Sequence, residues 1–540
     1  MLARAWELVQ QHRGLLEGQA FSHAFQTEGQ YERLVPTEWR EALSSASTAD
    51  IGRMPAGEVP PGAPPSLAAF ISSAHGCQLA QLRMPERAPL PPPAAAVSGK
   101  GQQRWRQGAG PKKVTECTHL GARVHQLAAT AGGSAVVDLG CGKGYLSAFM
   151  AAGGLRVLAL DGREALINAA TATANVAAQP KSDAAATGVP MYVAMRLGDG
   201  GSNGGGEKGD GGCRTCSVAE ASIEISQLLR QHCDSGREAG DAPGAVAVAL
   251  HACGALSNSC LELCVEGACA GWLDGAIICG CCYGLLVEPQ DWPRSDAMAQ
   301  IINLHQQGQQ GQQGQQCGPS GSLLGVVLRD KATHAVSSLT DDPTAWARKV
   351  ALSSGYRAAL WAAAAHFGHP ELGLLPPVPV PPEPQAGGAA HASLPRFRQA
   401  RTNKLLRSQR PPDFGCWAAP ILQEWQQAAA SEEAPGQRLQ DGQPLPTAEE
   451  LSEFYHDEST GIQQACTEEI FALEALAACL WPVLESLIVL DRLSYTREII
   501  AAREHEHEQQ VVGAGGWNVT VEELFPSVAS PRNWGIVLSR

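Results

Sequence analysis

Positive charge is scarce in this sequence: 40 Lys and Arg stand against 54 Asp and Glu, a formal net charge of −14. That balance excludes a protein that coats nucleic acid through phosphate contacts, which rely on Lys and Arg, so any nucleic-acid contact must be local. Aromatic residues make up only 5% and charged residues 17%, while 58 Gly and 36 Pro mark stretches with little to bury. By length the chain could hold about three domains, a number those stretches reduce. Long uninterrupted apolar runs are missing as well. The most apolar one, near 476–490, is broken by Pro482 and Glu485 and reads as too short to span a bilayer. The first 18 residues carry Glu7 and Glu17, unlike a secretory signal. The 17 cysteines are odd in number and lack a repeated disulfide spacing, which points to a reducing, intracellular location, cytoplasmic or nuclear.

Two nucleotide-binding motifs are also lacking. The stretch "VVDLGCGKGYLS", residues 136–147, has glycine at 140, 142 and 144. A dinucleotide fingerprint needs glycine where Tyr145 stands, and a P-loop needs Ser or Thr after its lysine, where Gly144 stands. What is there is an apolar run ending at Asp138, a glycine-rich turn, then a helical pattern through Leu146 and Phe149. Glycine permits positive φ and lets such a turn bring its amides against a ligand. The spacing D-x-G-x-G-x-G resembles motif I of class I S-adenosylmethionine-dependent methyltransferases. A second apolar run ends at Asp161, roughly 20 positions beyond the loop, where an acidic partner of ribose hydroxyls is expected.

Strands are expected at 135–139, 155–160, 191–196, 245–250 and 273–279, alternating with helices in the pattern of a mostly parallel sheet. The fold class is α/β, a Rossmann-like sheet. Residues 1–100 read as a helical accessory region with Pro-rich linkers, and 101–290 as the first part of the core. Residues 291–464 read as a low-complexity insertion, partly disordered, and 465–540 as a long amphipathic helix, kinked at Pro482, followed by a strand.

The set "PKKVTEC" (111–117), "VVDLGCGKGYLS", "ALHACGALS" (249–257), "GCCYGLL" (280–286), "WPRS" (292–295), "YRAAL" (356–360), "LESLIVLDRLSYTRE" (484–498) and "SPRNWGIVLSR" resembles the family of methyltransferase-like protein 25 and the ribosomal RNA adenine dimethylase domain-containing protein. The likeness runs from about 110 to the last residue, in family order. It implies S-adenosylmethionine as cofactor, a late antiparallel strand supplied by the tail, and an enzyme acting on RNA or protein. A binding module that keeps the fold without turnover is the alternative. Where the family usually reads Lys-Lys-x-His-Glu, this chain has Thr115, while Lys112, Lys113 and Glu116 remain.

The candidate cofactor-binding residues are therefore Lys113, Glu116, Asp138, Gly140, Gly142, Gly144 and Asp161. The substrate pocket is expected at the ends of the fourth and fifth strands, with His251, Cys253, Cys282 and Tyr283 as candidate catalytic residues. His251 could act as general base or fix the turn. Tyr283 could stack on a planar substrate or cover the pocket. Cys253, Cys281 and Cys282 could be inert, gather zinc with His251, or attack a pyrimidine ring; their spacing fits no standard zinc motif, and no metal is expected. Cys213 and Cys216 form a C-x-x-C without a second pair. The Asn/Asp, two prolines and aromatic of enzymes that methylate the exocyclic nitrogen of adenine are missing at 251–254. One basic element, with Arg396, Arg398, Arg401, Lys404, Arg407 and Arg410, could contact RNA phosphates or be a solvated arm.

Overall fold

The computed structural model describes residues 1–17, 30–82, 106, 108–178, 189–198, 214–233, 244–310, 323–334, 336–368, 413–429, 445–508, 516–527, 529–530 and 532–540. Contacts divide the chain into two units, Ala3–Gln81 with Leu324–Glu485, and Leu82–Leu323 with Ser486–Arg540. The N-terminal helices thus share a unit with much of the segment expected to be an insertion, and the boundary falls inside a helix. In this first unit, rings of Tyr356, Phe414 and Tyr455 meet with centroids 5.0–5.4 Å apart. That packing gives the segment a core of its own, which low-complexity composition had obscured.

The helix Ile470–Glu508 continues through Pro482, although an internal proline forfeits a helical hydrogen bond. From Ile470 to Leu493 it is buried on nearly every side, so it is a core helix and not the amphipathic one expected. The helical run Ile462–His505 is long and apolar enough to cross a membrane, its most apolar window having a mean hydropathy of 1.8, yet 89% of that window is buried within the protein.

The second unit holds an eight-stranded sheet. Its strands are β1 Ala135–Leu139, β2 Arg156–Asp161, β3 Met191–Leu197, β4 Arg214–Cys216, β5 Ala245–Cys253, β6 Leu273–Cys281, β7 Asn518–Glu523 and β8 Trp534–Ser539. The order is β4-β3-β2-β1-β5-β6-β8-β7. Pairs among β1 to β6 are parallel, and β8 runs antiparallel to both β6 and β7. The five expected parallel strands form, and the tail enters beside the fifth of them as the resemblance implied. The short β4 and the edge strand β7 were not anticipated.

Every residue of β1 is buried, as expected for a central parallel strand covered on both faces. Helices Pro111–Thr130 and Tyr145–Ala152 pack Leu120, Val124, Phe149 and Met150 onto Val136, Val246, Ile277 and Val537. After β1 the chain builds β2 to β4 on one side, then β5 and β6 on the other, so the loop after β1 lies at the switch point where open α/β sheets bind ligands.

Candidate active site

Gly140, Gly142 and Gly144 have φ of 74°, 57° and 73°, so all three use the left-handed region open to glycine. A Cβ on Gly142 would meet no protein atom within 4 Å, whereas one on Gly144 would lie 2.6 Å from the Tyr192 hydroxyl. Gly142 therefore faces open space, and Gly144 serves internal packing. The loop's amides differ from the expectation that they face a ligand. Gly140 and Cys141 donate to the Leu160 carbonyl, Gly142 to Asp161 Oδ2 at 2.9 Å, and Gly144 to the Cys141 carbonyl. Anion-binding nests need such groups free. A loop that has spent them offers clearance and carbonyl oxygens instead, which suits a ligand without phosphate.

Asp161, buried at the end of β2, also accepts from Arg163 N at 2.9 Å and Arg163 Nε at 3.2 Å. Each carboxylate oxygen can take two bonds, so Asp161 both braces the loop and keeps acceptor capacity for a ligand.

Asp138 turns into the core, where Ser147 Oγ donates to it across the loop. Burial pushes its carboxyl up to about 7, with Ser147 and Lys113 pulling down and Asp161 pushing further up. A native pKa above the unfolded value favours the protonated folded state, so the contribution of this group is fully present below pH 3.8 and is lost as pH rises through about 7. Asp138→Asn keeps an acceptor for Ser147 without the charge. Its melting temperature should overtake the wild type's across that window, by ~1–3 kcal/mol of stability at pH 8. Parallel melting curves from pH 5 to 8 would show that Asp138 titrates normally.

At β5 the register carries information no local pattern held. Ala249 pairs with Ile278 and Ala252 with Gly280, so β5 advances three residues while β6 advances two. The extra residue is a bulge, a device that re-aims a side chain. His251 sits in it with φ of 72°, and its Nε2 lies 3.0 Å from Oε2 of Glu116 on the helix Pro111–Thr130. Glu116 is fully buried, with Lys113 Nζ 2.7 Å from the same oxygen. Burial alone would raise its pKa, but the hydrogen bonds of His251 and Lys113 and the charge of Lys113 hold it down at about 2. An ionised Glu116 fixes the proton of His251 on Nε2 and leaves Nδ1 as the acceptor. Glu116 Oε1 is buried and makes no hydrogen bond.

Cys253 and Cys282 meet at the same strand ends, together with Cys281. Hydrogen bonds from Cys253 and Cys281 hold the Cys282 thiol well below the usual range, and the same contacts push Cys281 up. Tyr283 departs from a catalytic role: it is fully buried, and its ring lies 5.3 Å from the Arg492 guanidinium. A ring closed off from solvent covers the site and cannot stack on a substrate.

Arg492 and Asp491, within the quoted "LESLIVLDRLSYTRE", had no role in the sequence reading. Arg492 donates to the Gly254 carbonyl and to Asn258 Oδ1, both at 3.1 Å, holding the turn after β5. Asp491 accepts from the amides of Arg294 and Ser295, both at 2.9 Å. An Asp-Arg pair inside an apolar helix was the available signal, since buried charges persist only when hydrogen-bonded. Arg396, Arg398, Arg401, Lys404, Arg407 and Arg410 lie outside the described residues, as does Cys213.

A family model described as a methyltransferase domain matches residues 112–289, which carry the glycine loop and both strand ends. No curated protein matches the chain. Among solved structures, magnesium protoporphyrin IX methyltransferase from Synechocystis, with bound SAH, is similar at 16% identity over 43% of this chain and 84% of that one. Its TM-score of 0.19 is too low for that likeness to carry an argument. The family match, the strand order and the glycine loop together identify a class I methyltransferase domain in this chain, with S-adenosylmethionine as its cofactor.

Proposed function

We propose that the domain is catalytically active and transfers a methyl group to an RNA or protein acceptor docked at the carboxyl ends of β5 and β6. The observation that carries this reading is His251, strained to positive φ in a bulge and hydrogen-bonded to a buried carboxylate 135 positions earlier in the chain. Strained residues held by their surroundings cluster at functional sites.

When bound, S-adenosylmethionine supplies an electrophilic methyl group on a sulfonium. Gly142 gives it clearance, Asp161 an acceptor for ribose hydroxyls, and Oε1 of Glu116, which has no hydrogen bond and lies 3.8 Å from Lys112 Nζ, an acceptor for its ammonium. The buried carboxylates of Asp161 and Glu116 favour a ligand that carries positive charge. Glu116 fixes the His251 tautomer, so that Nδ1 can take a proton from the acceptor as it is methylated. Lys113 keeps Glu116 ionised for that task. The adenine chemistry suggested by the finer resemblance finds no support at 251–254. The reading also takes the protein to be intracellular, with the basic residues from Arg396 to Arg407 as the RNA contact if the acceptor is RNA.

Tritiated methyl transfer to RNA and protein from cells lacking this chain tests the proposal. Wild type should label one fraction. His251→Asn should bind cofactor normally and lose ~10²–10⁴-fold in rate. Glu116→Gln should move the pH profile of the rate. Tight cofactor binding with no incorporation into either fraction would leave the binding module as the function.

A further inference from the structure

The sulfur atoms of Cys253, Cys281 and Cys282 lie within 4.8 Å of one another, with those of Cys253 and Cys281 3.2 Å apart. Two backbone irregularities bring them together. The bulge in β5 sets Cys253 directly opposite Cys281 in the ladder. Successive strand residues point to opposite faces, so Cys281 and Cys282 should diverge. Cys282 instead adopts φ of 51°, which returns its thiol to the other two. Among the described residues, His251 and Cys282 are the two non-glycine positions with positive φ, and both sit at this cluster. Three inert thiols would not need strain at two places.

Tetrahedral zinc, with Zn–S bonds of about 2.3 Å, separates its sulfur ligands by ~3.8 Å, inside the span found here. Arg532 Nη1, 4.0 Å from Cys282 Sγ, offsets the surplus negative charge of three thiolates around a dication. We propose that Cys253, Cys281 and Cys282 hold a zinc ion, with its fourth position left to water on the exposed side of Cys253. Spacing along the chain hid the site, because its ligands come from two strand ends and not from one C-x-x-C loop. The carboxyl ends of parallel strands are where the fold already binds ligands.

The test uses the full-length chain purified without chelator under reducing conditions. Elemental analysis should find about one zinc per chain, and cobalt exchanged for it should give thiolate charge-transfer bands and intense tetrahedral d–d bands. Loss of an outer-shell partner alone costs 10–100-fold in metal affinity. Cys282→Ser and Cys253→Ser should each lose roughly a hundredfold or more. Cys253 is exposed, so its variant should fold even if that of buried Cys281 does not. Cys416→Ser, in the other unit, should keep the metal. Failure of the folded wild type to take up zinc or cobalt would overturn the site. So would zinc retained by Cys253→Ser/Cys282→Ser, or a Cys253–Cys281 disulfide in the protein as purified.

Discussion

A chain truncated after Leu524 should fail to fold its methyltransferase domain and should bind no cofactor. The truncation removes β8, which lies between β6 and the edge strand β7 and whose Ile536, Val537 and Leu538 are buried. Burying three such side chains is worth ~5–9 kcal/mol, which is comparable to the whole net stability of a domain, ~5–15 kcal/mol. Two further losses follow. β6 is left with an unpaired, buried edge, and β7 loses its partner, because it pairs with β8 alone. Phe525 leaves the core, and so does Asn533, whose amide nitrogen donates to Glu523 Oε1 at 2.8 Å and to the Phe525 carbonyl at 3.0 Å. By contrast, deleting residues 311–316, six Gly and Gln outside the described residues, should change neither property. Circular dichroism melting and calorimetric titration with S-adenosylhomocysteine distinguish the cases. A truncated protein that melts cooperatively at the wild-type temperature and binds normally would mean that the domain closes without its last strand.

Gly142→Val should abolish cofactor binding in a protein that still folds. At φ of 57° a β-branched residue is a conformational outlier, costing roughly 1–2 kcal/mol of stability. A Cβ there meets no protein atom, so the strain is the main cost to folding. The branched side chain instead fills the space the ligand requires, and affinity should fall roughly a hundredfold or more, ~3 kcal/mol. Gly144→Ala offers the contrast. Its Cβ meets the Tyr192 hydroxyl, so its melting temperature should suffer first. Wild-type affinity in folded Gly142→Val would remove the loop from the binding site.

The spent amides of the loop bear on why its sequence resembles nucleotide-binding turns without being one. All three turn types use glycine to pass a strand end close to a ligand, but a phosphate also demands free N–H groups. Here those N–H groups brace β2 through Leu160 and Asp161. Asp161 is therefore more than an acceptor reaching toward a ribose: it fixes the shape of the loop whose open side Gly142 presents. An Asp161→Ala variant would confound the two roles, which is why Gly142 is the cleaner position to alter.

Much of the fold was legible along the chain because the physics that shapes it is local. Apolar runs ending in Asp138, Asp161, His251 and Gly280 marked the central parallel strands, which are five to nine residues long, buried on both faces, and so carry no alternation to misread. Three glycines at alternate positions marked a turn that only residues without a Cβ adopt. The tail's "NWGIVLSR" marked a strand, since such a run has no stable existence alone. The edge strands β4 and β7 were missed for the complementary reason: at three and six residues, half exposed, each exists because a neighbour pairs with it. The site divides along the same line. Sequence named His251, Glu116 and the cysteines, but the one-residue offset between β5 and β6 decides where they point. That offset turns His251 toward Glu116 and sets Cys253 against Cys281. Register, strain and charge burial are settled by packing between segments 28 residues apart, as for Cys253 and Cys281, up to 238 apart, as for Gly254 and Arg492, and no local pattern contains both sides of such a contact.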